Sequence, residues 1–395
     1  MQRLMPKRSH LALVAFLTAV AALTGGARAV LPFHFGTFPS GALDAITDVP
    51  GVRVAHVTKV EGDDVRTGAT AILPNSDPWN SKAAAYALAF NGNGEMTGSH
   101  WINTSGYLEV PIVLTNTLNI GLVDDGVIDW MIRHYPHVGK SDDVPLPVVA
   151  ECDDAMLNDI QRRSVHQSDV VAMLDSASTG QFARGSVGAG TGMRAFGFKA
   201  GIGSASRVLP ARLGGYHVGV LVNDNTGSSR EALTIAGVPV GARLKDEYRM
   251  TYPKHVSEAT LHGRLESGSI IIVVATDAPL DSRELHAIAL RAGLGMGRTG
   301  LTSDVGSGDL FLAFSTGYVF HRTGNFNIQA PSKPILEDDA TLNALYRATA
   351  EATQAAIYDA LFEAKTMSGR GGSTVYGLPD ERVLQMLRSA GAISP

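Results

Sequence analysis

With 395 residues, 45% of them hydrophobic and 18% charged, the chain holds enough apolar material for a large core and too little charge for a disordered protein. A formal net charge of −5 gives no electrostatic case for nucleic-acid binding, which calls for a basic face. The single cysteine, Cys152, excludes an internal disulfide and reads as a small packed residue rather than a nucleophile.

In chain order, the first element is a leader. Arg3, Lys7 and Arg8 precede an apolar run at 11–23, and Ala27-Arg28-Ala29 fits a small-x-small cleavage rule. Residues 1–29 therefore read as a secretory signal peptide, with Val30 as the mature start and a periplasmic or secreted product. The apolar run is too short to cross about 30 Å of hydrocarbon, and no later segment reaches that length, so no membrane association is expected after its removal. Short Val- and Ile-rich strands are expected at 111–115, 146–150, 216–222, 269–275 and 310–315. Helical periodicity falls at 126–134 and 168–176. A third helix is expected over 281–296, with Asp277-Ala278-Pro279 as its capping and first-turn signal and Leu285, Ile288, Ala289 and Ala292 on one face. After an exposed connection at 330–339, a long helix over 338–364 carries Leu342, Leu345, Tyr346, Ile357 and Leu361 on one stripe. Apolar strands with amphipathic helices predict an α+β fold, a four-layer αββα sandwich forming a single domain.

Several motifs do not hold up. "GSVGAGTGM" (185–193) lacks the Walker lysine, and Met193 stands where a dinucleotide fingerprint needs its third glycine. It reads as a glycine-dense turn in which backbone approaches backbone. No G-x-S-x-G elbow, His-Glu-x-x-His or paired-cysteine spacing occurs, and His217 reads as a hydrogen-bonded core histidine. No metal or other cofactor is expected.

The informative stretch is "LESGSIIIVVATDAPL" (265–280). Seven Gly-Ser pairs occur in the chain, but Gly268-Ser269 alone puts the serine at the first position of a core strand. Attack of the Ser269 hydroxyl on the Gly268 carbonyl, followed by hydrolysis, would create a new chain beginning at Ser269. A free α-amine has a reference pKa of about 7.7–8.0, so one residue would supply nucleophile and base. Asn223 and Asn225 in "LVNDNTG" (221–227) offer amides for an oxyanion. Ser307 and Asp309 share one side of a strand start and are expected to act together.

The stretches "NGNGEMTG" (91–98), "PIVLTNTLNIG" (111–121), "GSVGAGTGM", "FKAGIGSASR" (198–207), "GSIIIVVATDAPL" and "SGDLFLAFSTG" (307–317) resemble the L-aminopeptidase/D-amidase-esterase and β-peptidyl aminopeptidase family. The likeness runs from about Phe33 to the C-terminus. It implies layering like that of N-terminal nucleophile hydrolases with different connectivity, related to the ornithine acetyltransferase fold. It also implies self-cleavage between Gly268 and Ser269 into chains 30–268 and 269–395, assembled as a homotetramer of such pairs. Carried over by position, Ser269 is the nucleophile, Ser307 and Asp309 surround its amine, and Asn225 is the oxyanion asparagine. Glu151 matches an acid that binds the substrate's free amino group. The implied reaction releases N-terminal residues from short peptides, amides or esters.

After Glu151 the family pattern leads to a Thr-x-Asp-Gly-like run, whereas this chain reads Cys152-Asp153-Asp154-Ala155, and Leu118 stands where some relatives carry a polar residue. These differences bear on the amine pocket and leave α/β and L/D preference open. Two other functions stay open at this point: an acyltransferase of the ornithine acetyltransferase type, and an inactive secreted binding protein on the same scaffold.

Overall fold

The computed structural model describes residues 31–227, 229–252, 268–324, 327–332 and 336–394. The expected leader at 1–29 and part of the expected connection at 330–339 lie outside the described residues.

A four-stranded sheet has the order β1 (Arg53–Glu61), β2 (Val65–Leu73), β5 (Ile112–Asn116), β6 (Val148–Cys152). Strands β5 and β6 run parallel and the other two pairings are antiparallel. A larger sheet has the order β4 (Tyr107–Leu108), β3 (Ser81–Gly92), β12 (Gly308–Gly324), β11 (Ser269–Thr276), β10 (His217–Asn225), β9 (Ile202–Val208), with β13 (Asn327–Gln329) added to the end of β12. Two short hairpins, β7 (Arg194–Ala195) with β8 (Phe198–Lys199) and β14 (Met367–Ser368) with β15 (Thr374–Val375), lie outside both sheets. The helices are α1 (Ser99–Ser105), α2 (Ile120–His134), α3 (Gln167–Ser176), α4 (Val240–Arg243), α5 (Ser282–Gly297), α6 (Asp339–Glu363) and α7 (Asp380–Ser389).

The side chains of β11 sort the layers. Ile271 and Val273 join the core that holds Ile112, Val113 and Val149 of the small sheet. Ile270, Ile272 and Val274 join the core that holds Leu285 and Ile288 of α5 and Ala355, Ala356 and Ile357 of α6. A strand buried on both faces cannot show the polar alternation of a half-exposed one, which is why 269–275 reads as an unbroken apolar run. Helices α2 and α3 cover the small sheet, while α5 and α6 cover the large one. The result is the αββα sandwich that the sequence predicts.

Helix α6 packs close against its sheet. Its alanines at 348, 352, 355, 356 and 360 are buried, and small side chains let the helix backbone come down onto β9. A Cβ on Gly203 of β9 would lie 2.0 Å from the Ala356 carbonyl oxygen. The glycine-dense turn behaves in the same way: a Cβ on Gly190 would lie 2.3 Å from Ile202 N, so backbone meets backbone there.

One expectation is corrected. The N-cap of α5 is Asp281, whose side chain accepts the Glu284 N–H at 3.1 Å. Asp277 instead accepts from His217, at 2.7 Å from its backbone N and 2.9 Å from its Nδ1. His217 is thus hydrogen-bonded, as expected, and half-buried.

Candidate active site

Ser269 opens β11 at the centre of the large sheet, between Asn225 of β10 and Gly308 of β12 in register. The Gly308 N–H donates both to Ser269 Oγ at 3.3 Å and to the Gly268 carbonyl oxygen at 3.2 Å. The hydroxyl and the carbonyl it would attack are therefore gathered by a single donor.

The residue before the serine has to be glycine. A Cβ on Gly268 would lie 1.7 Å from Gly227 N and 2.4 Å from the Thr226 carbonyl carbon. No rotamer relieves a clash with backbone, so the chain reaches the strand start only without a side chain.

Asn225 faces Ser269 directly across the antiparallel pair, and directly opposed residues share a face with their Cβ atoms about 4.5–5.5 Å apart. Its amide is fixed on both sides: Oδ1 accepts the Arg194 N–H at 3.1 Å, and Nδ2 donates to the Asp153 carbonyl at 2.8 Å. An amide nitrogen carries two protons, so a second one is left for a ligand.

Ser307 Oγ donates to Asp309 Oδ1 at 2.6 Å, which joins the two residues expected to act together. The other carboxyl oxygen accepts from Ser303, a residue the sequence reading missed and which holds φ 61°. Burial raises the Asp309 carboxyl above the usual carboxylate range, with the Ser303 and Ser307 hydrogen bonds opposing it. Asp309 pairs with Ile270 and so lies on the helix-facing side of the sheet, whereas Ser269 has the parity of Ile271 and Val273 on the inner side. The pair lines a small cleft with Thr226, Gly227, Gly268 and Asp304, beside the peptide bond rather than beside the hydroxyl.

Glu151 is the penultimate residue of β6 in the other sheet. One oxygen accepts the Glu95 N–H at 3.1 Å and the other accepts from Thr117, a second residue without a role in the sequence reading although it lies in the block 111–121. Burial raises this carboxyl too, against those two hydrogen bonds. The segment after β3 carries it to the nucleophile: a Cβ on Gly94 would lie 3.2 Å from Glu151 Oε1 and 3.3 Å from Cα of Gly308. Glu151 thus looks across one glycine at the strand that flanks Ser269.

The chain as a whole has close relatives. The model of Peptidase family S58 matches residues 44–375. The chain belongs to peptidase family S58. It is 38% identical to the β-peptidyl aminopeptidase BapA of Sphingosinicella xenopeptidilytica over 96% of this chain and 95% of that one. Among solved structures, a β-aminopeptidase from Burkholderia sp. matches with a TM-score of 0.81 and 38% identity, covering 91% of this chain and 97% of that one. The L-aminopeptidase D-Ala-esterase/amidase of Ochrobactrum anthropi, described as a variant of the Ntn hydrolase fold, matches with a TM-score of 0.80 and 36% identity over 92% and 98%. The protein is an aminopeptidase with that variant fold.

Within this S58 enzyme the remaining residues separate clearly. Asn223 pairs with Ile271, two residues further into the strand than Ser269, so of the two candidate amides only Asn225 reaches the serine's rung. Cys152 is fully buried, its thiol pushed well up by burial and directed at the Asn223 carbonyl at 3.7 Å, which suits packing and not attack. Asp153 contributes its carbonyl to Asn225, and Asp154 is buried with Oδ1 accepting from Asn158 Nδ2 at 2.9 Å. Leu118 is 45% exposed, while its carbonyl accepts from Arg163 Nε at 2.9 Å.

Proposed function

We propose that this aminopeptidase cuts itself between Gly268 and Ser269 and then releases N-terminal residues from short peptides, amides or esters through an acyl-enzyme on Ser269. The observation that carries the reading is the shared Gly308 donor, which gathers Ser269 Oγ and the Gly268 carbonyl oxygen. Self-cleavage needs those two groups together and the carbonyl polarised.

Once freed, the Ser269 amine takes the hydroxyl's proton as substrate binds, and the hydroxyl attacks the substrate carbonyl. Asn225 Nδ2 and the Gly308 N–H are the donors available to the oxyanion. Collapse of the tetrahedral intermediate expels the leaving amine, protonated by the Ser269 ammonium, and water then hydrolyses the ester by the same route. Ser307 and Asp309 flank the cut bond and orient the new terminus. Glu151 pairs with the substrate's ammonium, a charge-assisted bond that excludes blocked N-termini. The β-peptidyl aminopeptidase relatives support a substrate whose first residue is a β-amino acid. The expected leader at 1–29 supports a periplasmic or secreted enzyme, and the family resemblance supports assembly of cut pairs into a homotetramer.

Ser269→Ala is expected to abolish self-cleavage and hydrolysis together. Glu151→Gln is expected to raise KM for free-amine dipeptides by about tenfold or more, an ion pair lost from a desolvated site, with a smaller change in kcat. Steady-state kinetics on an amide substrate and its N-acetylated form check this. Equal use of both forms by the unsubstituted enzyme would remove the amine-binding role.

A further inference from the structure

The peptide bond proposed to be cut is flanked on its nitrogen side by a second set of buried polar groups. The Gly268 carbonyl points at β12, where the Gly308 N–H meets it. The bond is trans, as are all peptide bonds among the described residues, so the Ser269 N–H points the opposite way, toward β10. The Ile270 N–H alternates back toward β12.

On β10 the rung beside Ile270 is occupied by Asp224, with Thr226 two residues on. Asp224 shares the helix-facing side with Ile270 and Asp309, and Thr226 lines the same cleft as Gly268, Ser307 and Asp309. Two pairs, each a hydroxyl and a carboxyl two residues apart, therefore bracket the junction: Ser307 with Asp309 on the carbonyl side, and Thr226 with Asp224 on the nitrogen side. Asp224 is 0% and Thr226 4% exposed. One Asp224 oxygen accepts the Thr226 N–H at 3.3 Å. The other oxygen and the Thr226 hydroxyl are both buried without a hydrogen-bond partner among the described residues. Such atoms cost free energy in a core unless something occupies them during function.

We propose that Asp224 and Thr226 form the seat of the Ser269 nitrogen, protonating it as the chain is cut and holding the free amine afterwards. This rests on the self-cleaving reading above. In the N-to-O shift the Ser269 O–H bond and the Gly268–Ser269 C–N bond break, and an Oγ–C ester bond and a new N–H bond form. Asp224 gives its proton to the nitrogen and is left ionised, and the hydroxyl's proton leaves to bulk solvent, so no outside reactant is needed. Burial raises the Asp224 carboxyl to about 7, so the group keeps a proton to give near neutral pH. After cleavage the ionised carboxyl favours the ammonium, alongside the other charged groups packed around the junction: Asp309 and Asp304 from β12 and the loop before it, Glu151 and Asp153 from the end of β6, and Arg194 from the hairpin behind Asn225.

Asp224→Asn is expected to slow self-cleavage at least tenfold, followed by intact mass over time. In the fraction that is cut, the acid limb of the hydrolysis profile should move to lower pH by about half a unit or more, because losing a flanking carboxylate lowers the amine's pKa. Unchanged cutting rate together with an unchanged acid limb would overturn the proposal. If Asp224→Asn does not fold, Thr226→Ser and Thr226→Val answer the question: the serine should cut at the unsubstituted rate and the valine several-fold slower, and equal rates would overturn it. An unsubstituted chain that stays whole overturns the self-cleaving reading and this one together, whereas a cut unsubstituted chain with unaffected variants overturns this one alone.

Discussion

At Gly268 a single missing methyl decides whether Ser269 can reach the start of its strand. Adding that methyl puts it 1.7 Å from Gly227 N, so Gly268→Ala must displace the turn between β10 and the junction. The expected result is a folded chain, unchanged in far-UV circular dichroism, that cuts itself at least a hundredfold more slowly. Wild-type cutting by this variant would show that the junction's position is not what matters. Asp224 makes the complementary point in stability. Its carboxyl stays protonated in the fold up to about 7 but ionises in the unfolded chain from about 4. Between those values the folded state binds more protons, so this group's contribution to stability falls as pH rises, and above 7 the deficit is constant. Asp224→Asn should therefore melt higher than the unsubstituted protein at pH 8, with the difference fading toward pH 4. A thermal melt at both pH values measures this. A residue that weakens the fold while serving the junction would melt higher on removal and cut more slowly.

Elements were legible in the sequence where burial is periodic, and less so where local chemistry competes. The helix expected at 281–296 is α5 within one residue, because Leu285, Ile288, Ala289 and Ala292 repeat at helical spacing. Its start was misassigned because Asp277-Ala278-Pro279 carries the same residue types as a cap. Asp277 is claimed by His217, a partner 60 residues away in sequence, and local patterning cannot see such a contact. The two aspartates can be told apart: Asp281→Ala should cost about 1 kcal/mol by losing the cap, measured by urea denaturation. A cost near zero for Asp281→Ala would return the cap to Asp277. Strand β12 was visible only at its apolar core, 310–315, since its continuation to Gly324 is half-exposed and carries no alternation.

Across the whole molecule, the site assembles from six separate stretches, and only some of their chemistry was readable beforehand. Ser269, Asn225, Ser307 and Asp309 could be proposed because the large sheet brings strand ends with reactive side chains together, and each lies at such an end. Ser303, Thr117 and Gly94 could not, because their parts are set by a left-handed loop residue, a contact between sheets and a close backbone approach that no short motif encodes. Legible residues and hidden ones converge on the junction between Gly268 and Ser269. The measurement that tests this account most directly is the intact mass of the purified protein, with N-terminal sequencing of each fragment. The account predicts two chains, one ending at Gly268 and the other beginning Ser269-Ile270-Ile271-Ile272, with Ser269→Ala remaining whole. A single uncut chain with full aminopeptidase activity would contradict it and require a different nucleophile.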